Sequence, residues 1–348
     1  MQPPAFWNLK KPNLAAHMLS PLGLLYGWAG ELRHLVTIPQ RPLVPVLCVG
    51  NLTLGGAGKT PVAIEIARRL KSDGCTPGFL SRGYGARIVK PVMVDPKGAS
   101  ASFGDEPLLL ARHAKTVCSP DRPAGAQALI DAGCDVVVMD DGFQNPTLAK
   151  DLSIVVVDAR AGLGNGLVFP AGPLRADLSR QLGRAGGMIV IGEAKDADPH
   201  LRMGERRGLV AMRGHIQAEP HAVANLRGKR LVAFAGIGLP EKFFATLSGL
   251  ELDVVETRVF PDHHVYSLRD AEDLLALADK RDAVLVTTEK DAIRFQASEE
   301  PVIARLAAQT QVLPITVGFD RTGAHNLDKL LKSLRANFAP KEETAPQA

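Results

Sequence analysis

Residues 43–49, Leu43-Val44-Pro45-Val46-Leu47-Cys48-Val49, form a short apolar run that passes through Gly50-Asn51-Leu52 into Thr53-Leu54-Gly55-Gly56-Ala57-Gly58-Lys59-Thr60. Val62, Ile64, Ile66, Ala67 and Leu70 then recur at helical spacing. Buried strand, glycine-rich loop, Gly-Lys-Thr and helix, in that order, are what a phosphate-binding P-loop requires. Glycines let backbone N–H groups curl around phosphate oxygens, and the helix N-terminus adds partial positive charge. Lys59 then reaches the β- and γ-phosphates, and the Thr60 hydroxyl takes a Mg²⁺ coordination place. The whole loop, Thr53 to Thr60, is the expected ATP site. Thr53 stands where the usual pattern has its first glycine. A Rossmann dinucleotide site is disfavoured, because Gly50, Leu52 and Gly55 do not spell G-x-G-x-x-G.

A second signal fits the first. Val136-Val137-Val138-Met139 runs into Asp140-Asp141, and a carboxylate at the carboxyl end of a parallel strand holds Mg²⁺ directly or through water. The spacing leaves open which of the two touches metal. Gln144, in the following Gly142-Phe143-Gln144 turn, offers an amide to a phosphate, a metal-bound water or an acceptor. Arg82 lies in the glycine-rich loop after the strand-like Phe79-Leu80-Ser81, and Glu106 beside a helix start; both are candidate acceptor or phosphate contacts. Asp105, in Gly104-Asp105-Glu106-Pro107, is a helix cap on the bland reading. On the functional reading it is the base that accepts the proton of an attacking alcohol. Arg175, closing Phe169-Pro170-Ala171-Gly172-Pro173-Leu174-Arg175, is either a surface-loop residue or a cation that balances phosphate charge in the transition state.

The remaining polar clusters narrow the chemistry. His263 and His264 are adjacent, so an extended chain points them opposite ways, and no cysteine lies nearby to complete a zinc site. A histidine that orients or shares a proton with a carboxylate is the functional alternative to an idle loop residue. Thr287-Thr288-Glu289-Lys290-Asp291 has the wrong spacing for the N/T-K-x-D element of guanine-specific proteins, which disfavours a GTPase.

A length of 348 residues suggests two domains. The apolar content of 46% with 22% charged residues excludes wholesale disorder. A net charge of +4 is too nearly balanced to argue for nucleic acid. Cys48, Cys75, Cys118 and Cys134 are widely spaced, which reads as reduced thiols in a cytosolic compartment. The expected architecture is a mostly parallel P-loop α/β sheet flanked by helices over 41–215, followed by a smaller α/β domain over 216–338. Residues 339–348 read as a disordered tail. The stretch 193–230, polar and interrupted by glycine, is where the sequence places the connection, near 205–225.

Residues 1–40 form a separate N-terminal segment. From 12 to 30 there is no full charge, yet Pro21, Gly23, Gly27 and Gly30 break up any signal peptide or membrane span. An amphipathic helix fits better, with Ser20 as cap, Pro21 at the first position, and Leu22, Leu25, Trp28, Ala29, Leu32 and Val36 on one face. That face packs on the protein's own core or meets a membrane surface, where Lys10, Lys11, Arg33 and His34 would face anionic headgroups.

Taken together, G-N-L-T-x-G-G-x-G-K-T-P, S-R-G-Y-G, G-D-E-P, D-D-G-F-Q, P-A-G-P-L-R, F-P-D-H-H and T-E-K-D resemble, in order and over about residues 5–335, the tetraacyldisaccharide 4'-kinase family. Thr in place of the first P-loop glycine is itself part of that pattern. The resemblance implies a P-loop kinase that uses ATP and Mg²⁺ to phosphorylate the 4'-hydroxyl of a tetraacylated glucosamine disaccharide 1-phosphate in lipid A synthesis. It further implies Asp105 as base paired with His263, Lys59 and Arg175 managing phosphate charge, and metal at Thr60 with Asp140 or Asp141. A four-chain lipid acceptor implies a membrane-surface role for residues 14–36, on the cytoplasmic face of a Gram-negative inner membrane, without an obligate protein partner or nucleic acid. Ala176-Asp177 departs from the family, which often has Glu-Pro there. The alternative from the residues is a P-loop ATPase that drives assembly or metal delivery through a partner protein, orienting water where a kinase places an alcohol and its base.

Overall fold

The computed structural model describes residues 4–83, 87–336 and 338. In chain order the elements are α1 (Leu14–Val36), β1 (Val46–Asn51), α2 (Lys59–Ser72), β2 (Pro77–Ser81), β3 (Val92–Met93), α3 (Ser100–Phe103), α4 (Asp105–Ala111) and β4 (Thr116–Cys118). There follow α5 (Arg122–Asp131), β5 (Val136–Asp140), β6 (Leu152–Asp158), α6 (Leu178–Gly183), β7 (Gly187–Ile191), α7 (Ala194–Arg206) and β8 (Val210–Ala218). The chain continues through α8 (Pro220–Leu226), β9 (Arg230–Ala235), α9 (Pro240–Gly249), β10 (Asp253–Val259), α10 (Leu268–Arg281), β11 (Val284–Thr288) and α11 (Glu289–Gln296). It closes with α12 (Pro301–Gln309), β12 (Thr310–Leu313), β13 (Ile315–Phe319) and α13 (Arg321–Ala336).

Two compact units result, and they are not contiguous in sequence. The first comprises 1–80, 121–215 and 319–348; the second comprises 81–120 and 216–318. Residues 81–120, assigned from sequence to the 41–215 domain, therefore belong with the later span, and α13 returns to the first unit. In the second unit α4 packs on α11, a pairing of distant segments that no local signal announces. The connection expected near 205–225 falls where the chain passes from the first unit to the second, at 215/216, and it is not a loop: it lies within β8, where Met212 and Gly214 alternate inward as a half-buried strand should. The strand expected over 312–317 is two, β12 and β13, broken at Pro314, which has no N–H to give a ladder. Residues 339–348 and Tyr84-Gly85 lie outside the described residues.

In the first unit six parallel strands run in the order β8-β7-β6-β1-β5-β2. Their residues, such as Val46 to Val49 and Val136 to Met139, are almost wholly buried, as continuous apolar runs in a two-sided parallel sheet should be. β1 lies centrally, paired with β5 on one side and β6 on the other; the chain leaves β1 for β2 beyond β5, and the connection from β5 to β6 crosses back past it. The carboxyl ends of such central strands are where α/β sheets bind ligands.

α1 differs from expectation at its start. Asn13, not Ser20, caps it by accepting from the Ala16 N–H at 3.0 Å, and Pro21 lies inside the helix. The Ser20 hydroxyl donates to the Ala16 carbonyl at 2.9 Å, one turn back, so the helix runs through the proline. The side of α1 toward the first unit is built from small residues. Ala16 and Gly23 are buried, and a Cβ on Gly23 would lie 2.7 Å from the Val168 carbonyl oxygen. Glu31 on the same side pairs with Arg180 at 3.3 Å and Arg184 at 3.1 Å. Leu14, Met18, Leu22, Leu25, Trp28, Leu32 and Leu35 point away, with exposures from 43% at Leu32 to 80% at Leu35. The apolar stripe seen in the sequence is thus the outward face. No helix among the described residues is long and apolar enough to cross a membrane.

The second unit holds a four-stranded parallel sheet, β10-β9-β11-β12, and the short antiparallel pair β3–β4. Phe234 of β9 meets Tyr266, Phe295 and Phe260 at centroid distances of 5.6, 6.1 and 6.3 Å. Each such aromatic pair contributes about 0.5–1.5 kcal/mol beyond its buried area. The cluster pins the 260–266 loop and α11 to the same core, which fixes the side chains described next.

Candidate active site

The first unit presents the phosphate loop. α2 begins at Lys59 after Gly58, whose backbone is left-handed (φ 83°), and no side chain among the described residues caps its N-terminus. Its first N–H groups are therefore available to an anion, with the helix dipole behind them. Gly55, at φ 118°, is likewise in a conformation other residues avoid. Thr53 is not. It sits in an extended antiparallel bridge with Leu174, which is why a β-branched residue fits where other loops have glycine. Asn51 Nδ2 donates to the carbonyls of Thr53 (2.7 Å) and Gly55 (3.0 Å), tying the loop to the end of β1.

Charge gathers on the same side. Lys59 Nζ stands 3.8 Å from Asp141 Oδ1, and Arg175 Nη2 donates to Asp141 Oδ2 at 3.2 Å. Arg175 Nε also donates to the Thr53 carbonyl at 3.1 Å, so the arginine is built onto the loop rather than idle on the surface. Asp140 is buried at the end of β5, while Asp141 turns outward with a left-handed backbone (φ 51°). The Thr60 hydroxyl and these two carboxylates are hard oxygen donors beside a phosphate cradle, a donor set that fits Mg²⁺.

The second unit holds a different construction. Gly104, at φ 85°, opens α4, and Asp105 is its first residue but does not cap it. Its Oδ2 instead accepts from Arg294 Nε at 2.8 Å and bonds His263 Nδ1 at 3.0 Å. His263 reaches it from a left-handed backbone (φ 58°). His264 goes the other way, onto Asp270 at 3.0 Å and against the Phe260 ring at 4.8 Å, so the two histidines separate as adjacent residues must. Burial pushes the Asp105 carboxyl up, but the His263 hydrogen bond and the Arg294 guanidinium outweigh it and hold it below the usual carboxylate range. The hydrogen bond to Asp105 raises the His263 imidazole in turn. A buried carboxylate that stays ionised, with an imidazole on it, is equipped to accept a proton.

Other expected contacts are placed differently. Gln144 Nε2 donates to Gln181 Oε1 at 2.6 Å, which engages one of its two N–H groups; Gln181 Nε2 in turn donates to the Leu52 and Ala176 carbonyls. Gln144 thus props the loop through a buried neighbour. Glu106 pairs with Lys290 at 2.7 Å, and Arg82 is exposed. Asp177, where the family pattern departs, caps α6 by accepting from the Arg180 N–H. Sequence reasoning missed Asn51, Gln181, Asp291 and Arg294. For the last two there was a signal: they lie three apart on the helix that carries buried Ala292, Ile293 and Phe295, where charged residues are out of place unless paired.

Comparison with known proteins points to one family. The family of tetraacyldisaccharide-1-P 4'-kinases matches residues 15–334. The tetraacyldisaccharide 4'-kinase of Methylobacterium radiotolerans is 51% identical over 92% of this chain and 95% of its own length. That of a Chelativorans species is 47% identical over 92% of this chain and 93% of its own. Among solved structures, LpxK from Aquifex aeolicus in complex with ATP superposes with a TM-score of 0.73 at 26% identity, covering 92% of this chain and 99% of that one.

Proposed function

The chain belongs to the tetraacyldisaccharide-1-P 4'-kinase family, and from that premise we propose how its residues transfer the γ-phosphate of ATP to the 4'-hydroxyl of a tetraacyldisaccharide 1-phosphate. The N–H groups at the start of α2 and the Lys59 ammonium bind and polarise the terminal phosphates. Arg175, anchored on the Thr53 carbonyl, neutralises charge that spreads over the transferring group. Thr60 with Asp140 or Asp141 would hold Mg²⁺, which would screen phosphate charge when bound. Asp105 accepts the 4'-hydroxyl proton as the oxygen attacks phosphorus and the bond to the β-phosphate oxygen breaks, releasing ADP. His263 orients that carboxylate and shares the proton.

What carries this reading over an ATPase that merely orients water is Asp105, a buried carboxylate kept charged by two named partners. The test is labelled ATP with Mg²⁺ and the tetraacyl disaccharide phosphate. The wild type should yield a 1,4'-bisphosphate, and Asp105→Asn should lose about 10²–10⁴-fold in that product, the range for a general base, while still binding ATP. Label found solely in inorganic phosphate would overturn the kinase assignment for this chain.

The acceptor stays in its bilayer, since each buried CH₂ contributes about 0.8 kcal/mol. The outward apolar arc of α1 supports a monotopic seat on that surface, and the ATP requirement and the wide spacing of the four cysteines support the cytoplasmic face of a Gram-negative inner membrane. Replacing Leu22, Leu25 and Leu32 together by Gln should abolish flotation with anionic vesicles. Unchanged flotation sinks the seat without touching the chemistry.

A further inference from the structure

The T-E-K-D segment has no part in the reaction as described so far, yet it begins the helix on which Arg294 sits. Arg294 is 3% exposed and lies between two buried carboxylates. Its Nε meets Asp105 Oδ2, and its Nη1 donates to Asp291 Oδ1 at 2.8 Å and to the Gly236 carbonyl. Asp291 is itself fully engaged: it accepts from the Gly236 N–H at 2.9 Å, the Tyr266 hydroxyl at 3.0 Å and the Thr288 hydroxyl at 2.7 Å. Asp291 is therefore anchored without help from the arginine.

We propose that Arg294 is a positioning residue for phosphoryl transfer, clamped by Asp291 and Gly236 so that it fixes the Asp105 carboxylate for the incoming hydroxyl. The inference rests on the reading of Asp105 as the base.

Three observations support it. Burying a guanidinium costs several kcal/mol, and a well-packed apolar group would serve stability as well or better, so a buried cation between two carboxylates points to a task other than stability. Among the described residues both partners of Asp105 converge on Oδ2, which leaves Oδ1 to receive a hydroxyl proton. The partners also differ in kind. His263 is 60% exposed on a loop, whereas Arg294 is enclosed on a helix, so Arg294 is the fixed side of the pair.

Removing the guanidinium takes away a cation that favours the ionised carboxylate, so the pH below which Asp105 is protonated should rise. The other charged or titratable groups nearby are Asp262, 3.9 Å from His263 Nε2, the Glu106–Lys290 and His264–Asp270 pairs, Tyr266, and Asp291 itself. None of them replaces the lost cation at Oδ2.

The test uses the full chain with Arg294→Met, Arg294→Lys and Asp105→Asn, measuring kcat, KM for ATP, folded fraction by circular dichroism, and the pH profile of kcat. Arg294→Met should lower kcat at neutral pH by about 10²-fold, the scale of a mispositioned catalytic group, with KM for ATP within about threefold. Its acidic limb should move to higher pH by about one unit or more, from the lost charge pair. Arg294→Lys should return the limb toward the wild type while restoring kcat only in part, because an ammonium keeps the charge and not the fork. A folded Arg294→Met enzyme with wild-type kcat and an unmoved limb overturns the proposal. If Arg294→Met does not fold, Arg294→Lys decides: lowered kcat at unchanged KM for ATP supports positioning, and wild-type kcat refutes it. Lipid phosphorylation retained by Asp105→Asn removes the base reading itself. An inactive Asp105→Asn beside fully active Arg294 variants removes only the role of Arg294.

Discussion

The two halves of the chemistry are built from opposite materials. In the first unit the phosphate cradle is mainly backbone: a left-handed glycine, a bare helix N-terminus and a threonine held in an extended bridge, all within residues 53–60. In the second, the Asp105 carboxylate is held by side chains, bonded to residues 158 and 189 positions away. A backbone site tolerates variation in side chains but not in φ. A side-chain site tolerates the reverse.

That contrast can be broken most severely at the one side chain the cradle cannot spare. Lys59→Met removes the ammonium proposed to bind the terminal phosphates and should lower kcat/KM by at least about 10²–10³-fold, as for loss of one preorganised donor. A steady-state assay that finds less than a tenfold loss would mean the backbone alone does the work. Next in size is His263→Gln, which should lower kcat by about 10–10²-fold, less than loss of the base itself. The same variant has a stability signature. Because the folded imidazole is raised by Asp105, its contribution is fully present below the ordinary histidine value of about 6.5 and fades as pH rises through the raised value. Thermal melts of wild type and His263→Gln should therefore diverge in mild acid and converge in alkali; a gap independent of pH contradicts the pairing. The smallest expected effect is Gly58→Ala, where a Cβ in left-handed backbone costs about 1–2 kcal/mol. It should weaken ATP binding by titration calorimetry while leaving the pH profile of kcat in place, which separates the two constructions.

Legibility in the sequence follows the same division. Strand, loop and helix around Lys59 are contiguous, so periodicity and glycine spacing were enough to find them, and Asp140-Asp141 followed from the apolar run before it. Asp105 and His263 look like an ordinary helix start and an ordinary loop; only the ordered family motifs joined them. Arg294 escaped because its meaning depends on α4 packing against α11, which no local pattern encodes. The same distant packing moved 81–120 out of the domain in which a linear reading placed it. For α1 the periodic stripe was visible but its direction was not, since small residues such as Gly23 carry no hydrophobic signal and yet make the contact.

One stretch of the first unit joins these themes. Trp7 Nε1 donates to the Pro170 carbonyl, Tyr26 packs on Phe169, and Gly23 lies against Val168; only a few residues later Leu174 bridges Thr53, and Arg175 grips Asp141. Residues 168–175 are thus a short strut with α1 at one end and the glycine-rich loop at the other. Any substitution that shifts residues 168–175 would therefore be felt both at α1 and at Thr53 and Asp141, much as moving a bracket moves everything bolted to it.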